Sequence, residues 1–589
     1  MVSVITTLET LKSEAAEIGS KALETEQVIR EIDSTTAEFM PIASACSSLF
    51  FILEALPHVN HFYQFSLKLF LEIFHDVLTS NTAHNGAHTI STRLRDLGDK
   101  LLINVYRRVS RALLHQDQLV LTLLLAQTKM QIAGASLDEM ELSTLLSDSV
   151  PTAGFTKSVN ISYLSAEVIQ QVTALERLPA FAGLAKTLET DEADWKEWLA
   201  SSQLSDMPPL SWPEADSMCV CQRPLILLIN RSGATIALRQ AIVVKTLMPN
   251  RLVESLSIFV NSVFDQDMSL ASAYDLDQVV EKELQANVPL CLVSVSGYDA
   301  SYKIDALVRA KNVKCTSVAM GSQEGFSLAE EAITTNARTG AWVLLKNVHL
   351  APTWLSQLEK RLQNLTPHPA FRLFLTMEAI ESIPVSILRQ GRVIMNEPAA
   401  GLRANILESL QNLNKERIRS GPAEKLRLYF LLAWFHAVLQ ERMRYVPIGW
   451  SQSYEFNDSD QSQCLDTIDR WLSRIAKGKS NIAPGDLPWQ AIRTLIEESV
   501  YGGEVDRLFD TKLLSSMVAH VFRPEAYDID FELVRDSQNA LKGPEGNRIE
   551  HFIEWTMRLP EREPLCYLAL PSSAASVVAE SRGGLSLGL

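Results

Sequence analysis

The chain has 589 residues, enough for roughly three to five domains of about 100–200 residues each. Apolar residues make up 47% and charged residues 21%, with 24 Gly and 24 Pro, which excludes a wholly disordered chain and the collagen-like and low-complexity classes. The net charge of −16 removes most of the case for a nucleic-acid binder, which carries a basic footprint. Seven cysteines are sparse and form no CxxC pair, so no disulfide framework is expected, and a reducing compartment is the simplest setting. Cys219 and Cys221 read as free thiols rather than half a metal site. The N-terminus lacks the basic start of a signal peptide, and runs such as Leu119–Ala126 fall far short of the ~18 residues a membrane span needs. A soluble, cytosolic chain without a membrane span is expected.

The first forty residues carry Val4, Leu8, Leu11, Ala15, Ile18, Ala22, Thr25, Ile29 and Ile32 at alternating steps of four and three, an a/d seam over four heptads. A seam this narrow wants one partner helix, and nothing just downstream supplies it. Residues 1–40 therefore read as one half of a coiled coil, ended by Pro41. Residues 41–150 hold long helical patterns over Ser44–Leu56, Phe62–Leu78 and Leu94–Leu125. His84 and His88 lie in a turn-rich break and read as solvated loop rather than metal ligands. Residues 151–285 mix short helices and loops, with Trp195, Trp198 and Trp212 as packing anchors. Within them, residues 218–235 (MCVCQRPLILLINRSGAT) contain no acidic residue and fit neither a helix nor a hairpin.

The pattern changes at residue 286. Five short apolar runs, Pro289–Val295, Val313–Met320, Ala341–Val348, Phe371–Met377 and Arg392–Met395, alternate with helical patterns over Ser301–Ala310, Ser327–Thr335 and Thr353–Leu365. That alternation predicts a parallel sheet with helices on its faces across 286–400, with a ligand site at the carboxyl ends of the strands. The first strand runs into Ser296, Gly297, Tyr298, Asp299 and Ser301, where a phosphate loop would sit. A P-loop needs GxxxxGK[ST], in which backbone N–H groups and the Lys hold phosphate and Ser/Thr ligates Mg²⁺. Only Gly297 and Ser301 are recognised as remnants here, no Lys is read at the key position, and Asp299 would repel phosphate. The third strand ends in Lys346 and Asn347, where an NTPase wants acidic residues. These positions are read as a degenerate nucleotide loop and a degenerate acidic motif, without hydrolysis. No catalytic and no metal-ligating residue is assigned.

Residues 401–570 read as mainly helical. Glu424–Tyr445 is apolar nearly all round and therefore buried, and His436 within it reads as a core histidine. Tyr501-Gly502-Gly503 is a sharp turn, and residues 571–589 are expected to be disordered. The fold class is mainly α with one α/β module.

Gly340–Pro352 (GAWVLLKNVHLAP), Phe371–Glu378 (FRLFLTME), Leu431–Pro447 (LLAWFHAVLQERMRYVP), Gly449–Ser451 and Tyr501–Gly503 together resemble the sixth AAA+ module of dynein heavy chains, most closely of the cytoplasmic dynein 1 type. The resemblance covers most of residues 1–570. It implies an AAA+ core with a helical lid at 286–570, preceded by the strut helix and helical remainder of the fifth module. In that family six AAA+ modules form a ring that powers minus-end-directed movement on microtubules. ATP and Mg belong to other modules, and the fifth and sixth are structural. Implied partners are the remaining modules and stalk of the heavy chain, the intermediate, light intermediate and light chains, and microtubules, in the cytoplasm and on the cytoskeleton. No nucleic acid is implied. The large C-terminal domain of animal dyneins is absent, which implies a fungal source. Residues 218–235 have no counterpart in the family pattern and read as an insertion or an unspliced intron. The alternatives are an active AAA+ ATPase, against which the missing Lys and the Lys346-Asn347 pair argue, and a standalone scaffold without ATPase activity.

Overall fold

A computed structural model describes residues 2–81, 90–132, 139–146, 161, 163–200, 208, 231–264, 275–295, 299–398, 401–413, 417–418, 421–422, 424–477, 481–528, 530–534, 540–546, 548–560, 563–571 and 573–574. His84, His88, Trp212, Cys219, Cys221, most of 218–235 and the tail from 575 lie outside them. The chain divides into two compact units, one running to residue 246 with 253–272, the other formed from 273 onward with 247–252.

The N-terminal unit begins with α1, Val2–Ala55, a single helix that runs through Pro41. The end expected at Pro41 is thus corrected, and the boundary at residue 40 falls inside a helix. Proline costs a helix one hydrogen bond and a clash. Beyond it, however, Ala45, Leu49, Leu53 and Leu56 recur every third or fourth residue and are all buried, which fixes the helix on its far side. This part of α1 packs on α3 (Ile90–Val109) and α4 (His115–Ile132), and α2 (Leu67–Asn81) packs on α3. By length and composition one stretch of the described residues, Thr25–His58, is apolar enough to cross a membrane, contrary to the expectation of none. Its buried face meets protein instead. Between Ile18 and Met40 the described side chains are exposed: Ile18, Ile29 and Ile32 of the seam are 67%, 51% and 55% exposed.

The pattern predicted through Leu94–Leu125 is interrupted. Leu113 is extended between α3 and α4, and the buried Tyr63 hydroxyl accepts from the Leu114 N–H at 3.0 Å and donates to Asp117. Farther on, α5 (Glu139–Leu146) is tied to α9 (Arg231–Leu247): Arg239 Nε donates to the buried Glu141 carboxylate at 3.0 Å, and Lys245 Nζ donates to the Thr144 and Leu145 carbonyls. The last five residues of the suspected insertion thus belong to the start of a helix. Between these lie α6 (Ala166–Leu175), α7 (Leu184–Thr190) and α8 (Glu192–Ala200). Trp195 and Trp198 of α8 are buried and meet edge to face at 5.7 Å, as packing anchors do. The unit's last described helix is α10, Leu252–Phe264.

The C-terminal unit is built on five parallel strands: β1 (Leu290–Ser294), β2 (Cys315–Ala319), β3 (Trp342–Lys346), β4 (Leu373–Glu378) and β5 (Arg392–Asn396). All five predicted apolar runs are strands. The order is β2-β3-β4-β1-β5, with Leu290 opposite Phe374 on one side and Arg392 on the other. β1 is buried along its whole length, which is why its sequence is continuously apolar rather than alternating. Crossovers α11 (Ser301–Lys311), α12 (Gln323–Thr339), α13 (Pro352–Asn364) and α14 (Val385–Gln390) connect the strands. From β1 the chain crosses to the far edge and returns by β3 and β4. It then passes to β5 on the other side, leaving a crevice at the carboxyl end of β1, where doubly wound sheets take ligands.

The lid follows, with α15 (Leu402–Gln411), α16 (Lys425–Arg442), α17 (Asp458–Ala476), α18 (Trp489–Thr494), α19 (Leu508–Val521), the short pair β6 (Glu532–Val534) and β7 (Leu541–Lys542), and α20 (Ile549–Met557). Its centre is α16, buried on nearly every face. The buried Arg442 guanidinium has carbonyl partners, donating to Gly449 (2.9 Å), Leu568 and Ala569, and so pins the chain's last described turn to α16.

Candidate functional site

Ser296, Gly297 and Tyr298 lie outside the described residues. The loop's remainder does place Asp299 and Ser301. Asp299 Oδ1 accepts both the Ser301 backbone N–H, at 2.9 Å, and its hydroxyl, at 2.7 Å. In a phosphate loop the first N–H groups of this helix point at the ligand's anion. Here the chain's own carboxylate takes one of them.

Counting from Gly297 along the sequence, Lys303 stands six residues on, the spacing of the phosphate lysine in GxxxxGK[ST]. The expectation that no Lys occupies this position is corrected. It escaped notice because Tyr302 replaces the second glycine and Ile304, fully buried, replaces the Mg²⁺-ligating hydroxyl. Lys303 Nζ donates to Asn396 Oδ1 at the end of β5, at 2.6 Å. Burial pushes its ammonium down from the usual lysine range, while Glu408 of α15 and Asp458 of α17 pull it back up.

At the end of β3, Lys346 Nζ lies 3.3 Å from Asp305 Oδ2, a partly exposed pair worth little in stability. Asn347 takes the left-handed conformation (φ 58°), and its N–H donates to Thr376 Oγ1 at 3.3 Å. Its neighbour on β4 is an acid that sequence reasoning missed: the Glu378 N–H donates to His349 Nδ1 at 3.1 Å, and its carboxylate lies 3.7 Å from His349 Nε2. Glu378 stands one strand over from the place where an acid was sought.

Between α11 and the lid helices α15 and α17 opens a cleft of about 790 Å³. Asp299, Asp305, Glu408, Asp458 and Asp466 line it, against Arg309 and Arg417, and Arg417 is bound to Asp466 at 2.7 Å. His436 reaches it from α16, 1% exposed, with Nδ1 2.9 Å from the Tyr501 hydroxyl and Nε2 without a partner. Burial pushes that imidazole down to about 4, so it is neutral at physiological pH. The sequence signal for these residues was weak, since the acids come from three elements about 50–160 residues apart and Asn457–Asp460 reads as a helix capping box, which it also is. Among the described residues no group of three or more His, Cys, Asp or Glu is placed to hold a metal ion, and the described cysteines are free thiols.

Residues 285–395 match the profile described as the dynein heavy chain region D6 P-loop domain, and residues 425–574 that of the dynein heavy chain AAA lid domain. The chain is 39% identical to the cytoplasmic dynein heavy chain of Drosophila melanogaster over 99% of its length and 12% of that protein's. With the chain of the same name from Dictyostelium discoideum the identity is 38% over 98% and 12%. For that of Fusarium vanettenii it is 39% over 100% and 13%. The chain belongs to the dynein heavy chain family. It spans about an eighth of the length of the curated relatives it matches. Similarity shared so evenly by an insect, an amoeba and a fungus carries no weight for the fungal source expected from the sequence. The dynein P-loop match covers the five-stranded sheet and the lid match covers α16 to α20, so the parallel-sheet core and helical lid are those of the family's AAA-type region.

Proposed function

We propose that this chain is a structural, non-hydrolysing segment of the AAA+ motor ring of a cytoplasmic dynein heavy chain, whose parent drives ATP-dependent, minus-end-directed movement on microtubules. What carries this is the match of both the sheet and the lid to dynein regions, combined with the chemistry left at the crevice. The lysine spacing survives there, but the Mg²⁺-ligating hydroxyl is Ile304, the acidic pair is Lys346-Asn347, and Asp299 takes a helix N–H that phosphate would need. Without a Mg²⁺-ligating hydroxyl at Ile304 or an acid at the end of β3, and with the nearby Glu378 engaged by His349, a bound nucleotide would find no ordinary route to hydrolysis. The partners on this reading are the other ring modules and stalk, the intermediate, light intermediate and light chains, and microtubules, in the cytoplasm. ATP and Mg serve elsewhere in the parent. The open seam of α1 fits a strut helix whose partner helix comes from the same heavy chain.

The test is steady-state ATPase activity of the purified chain with Mg²⁺. The expected result is no turnover above that of the same preparation carrying Lys303→Ala. Turnover that disappears with Lys303→Ala would sink the reading.

A further inference from the structure

We propose that the cleft between α11 and the lid helices α15 and α17 binds a linear aliphatic oligoamine, a cation of the spermidine class. The cleft holds about 790 Å³, a volume usual for small-molecule sites. Its charge selects the sign of the ligand. Asp299 and Asp305 of the core and Glu408, Asp458 and Asp466 of the lid line it, against Arg309 and Arg417. Arg417 is already committed, to Asp466 and to Asp469, each at 2.7 Å. An arriving anion would therefore meet a surplus of carboxylates. The spread of the acids selects the ligand's shape. They come from separate elements, and among the described residues no three acidic, His or Cys side chains converge as a metal ion requires. Leu413 and Leu465 stand in the same wall. Carboxylates set apart, with apolar side chains among them, match ammonium groups joined by methylene chains rather than a compact ion. The cleft also presents a group in want of a hydrogen bond. His436 lines it from α16 at 1% exposure, and its Nε2 has no partner among the described residues. Its Nδ1 lies 2.9 Å from the Tyr501 hydroxyl, so with the ring proton on Nδ1 the Nε2 lone pair is left to accept from an ammonium N–H. Burial holds this imidazole neutral at physiological pH, so it does not repel a cation. A buried polar atom left unpaired is costly, and a ligand N–H that reaches it removes that cost.

This goes beyond the reading of the chain as a non-hydrolysing ring segment and does not depend on it. The experiment is isothermal titration of the full chain with spermidine at about 0.15 M salt, where diffuse attraction to a chain of net charge −16 is screened. Saturable binding of one spermidine per chain is expected, with an equal concentration of Mg²⁺ displacing little of it. Glu408→Gln combined with Asp458→Asn is expected to weaken binding at least about tenfold. Glu324→Gln combined with Glu331→Gln removes the same charge from exposed positions on α12 and is expected to leave binding within about twofold of wild type. His436→Phe keeps a ring but removes the acceptor, and is expected to weaken binding about fivefold or more. If His436→Phe does not fold, the two carboxylate pairs decide. Binding that never saturates, an equal loss in both carboxylate pairs, or full displacement by Mg²⁺ would overturn the proposal. ATP turnover by the wild-type chain would sink the ring-segment reading and leave this one standing.

Discussion

Gly502 sits where no side chain fits, since a Cβ there would stand 1.6 Å from the Glu497 carbonyl oxygen. Backbone cannot swing aside as a side-chain tip can, so Gly502→Ala is expected to cost about 3 kcal/mol or more, read as a lower unfolding midpoint. The sequence announced this turn as Tyr501-Gly502-Gly503. It did not announce Glu441, 2% exposed, which accepts the Gly401 N–H at 2.7 Å and the Asn405 amide at 2.9 Å. Burial pushes its carboxyl up to about 7, Glu563 adds to the rise, and Arg444 opposes it. The folded chain therefore holds this proton where the unfolded chain releases it, and Glu441 removes stability as pH rises from about 4.5 to about 7. Glu441→Gln keeps an acceptor oxygen and is expected to make the midpoint less sensitive to pH over that window than in wild type. His436 works in the opposite sense: its lowered pKa removes stability as pH falls from about 6.5 towards 4, so the comparison must be between variant and wild type. That His436 belongs to the core was legible from its apolar neighbours. Its partner Tyr501, 65 residues away, was not.

At the scale of elements, α1 has two characters. Leu49 is 1% exposed in its packed half, and Leu49→Ala is expected to cost about 2–5 kcal/mol by the cavity it leaves. Ile29, 51% exposed, should tolerate Ile29→Ala within about 0.5 kcal/mol. The seam shows itself instead in association. The isolated chain should self-associate at micromolar concentration, and replacing Ile29 and Ile32 with Glu should reduce this, as measured by light scattering. The heptad was readable because its period is strict; the passage of the helix through Pro41 was not, because what sustains it is burial against α3 and α4, distant in the chain. The strands of the sheet were readable for the opposite reason: strands buried on both faces write themselves as unbroken apolar runs. Lys303 was missed because a motif with two of its four defining residues replaced no longer looks like one, although the interval from Gly297 had survived.

The whole molecule falls into two compact units, and calorimetry is expected to resolve two unfolding transitions rather than one. Glu441→Gln should move only the one belonging to the C-terminal unit. The pattern changes near residue 286, while the structure divides the chain at 273, and the boundary read at residue 40 left no visible seam in the long helix α1. What brings Asp299, Asp305, Glu408 and Asp458 to one cleft is the folding of lid onto sheet, which no local pattern records. One consequence of α1 is mechanical. The part from Val2 to Pro41 measures about 60 Å at 1.5 Å per residue. A tilt of about 5° at its packed base carries the far end roughly 5 Å sideways, about half the ~8–10 Å spacing of packed helices. The helix is thus a lever, in which a small rotation at the fulcrum becomes a sideways displacement at the tip large enough to make or break a side-chain contact there.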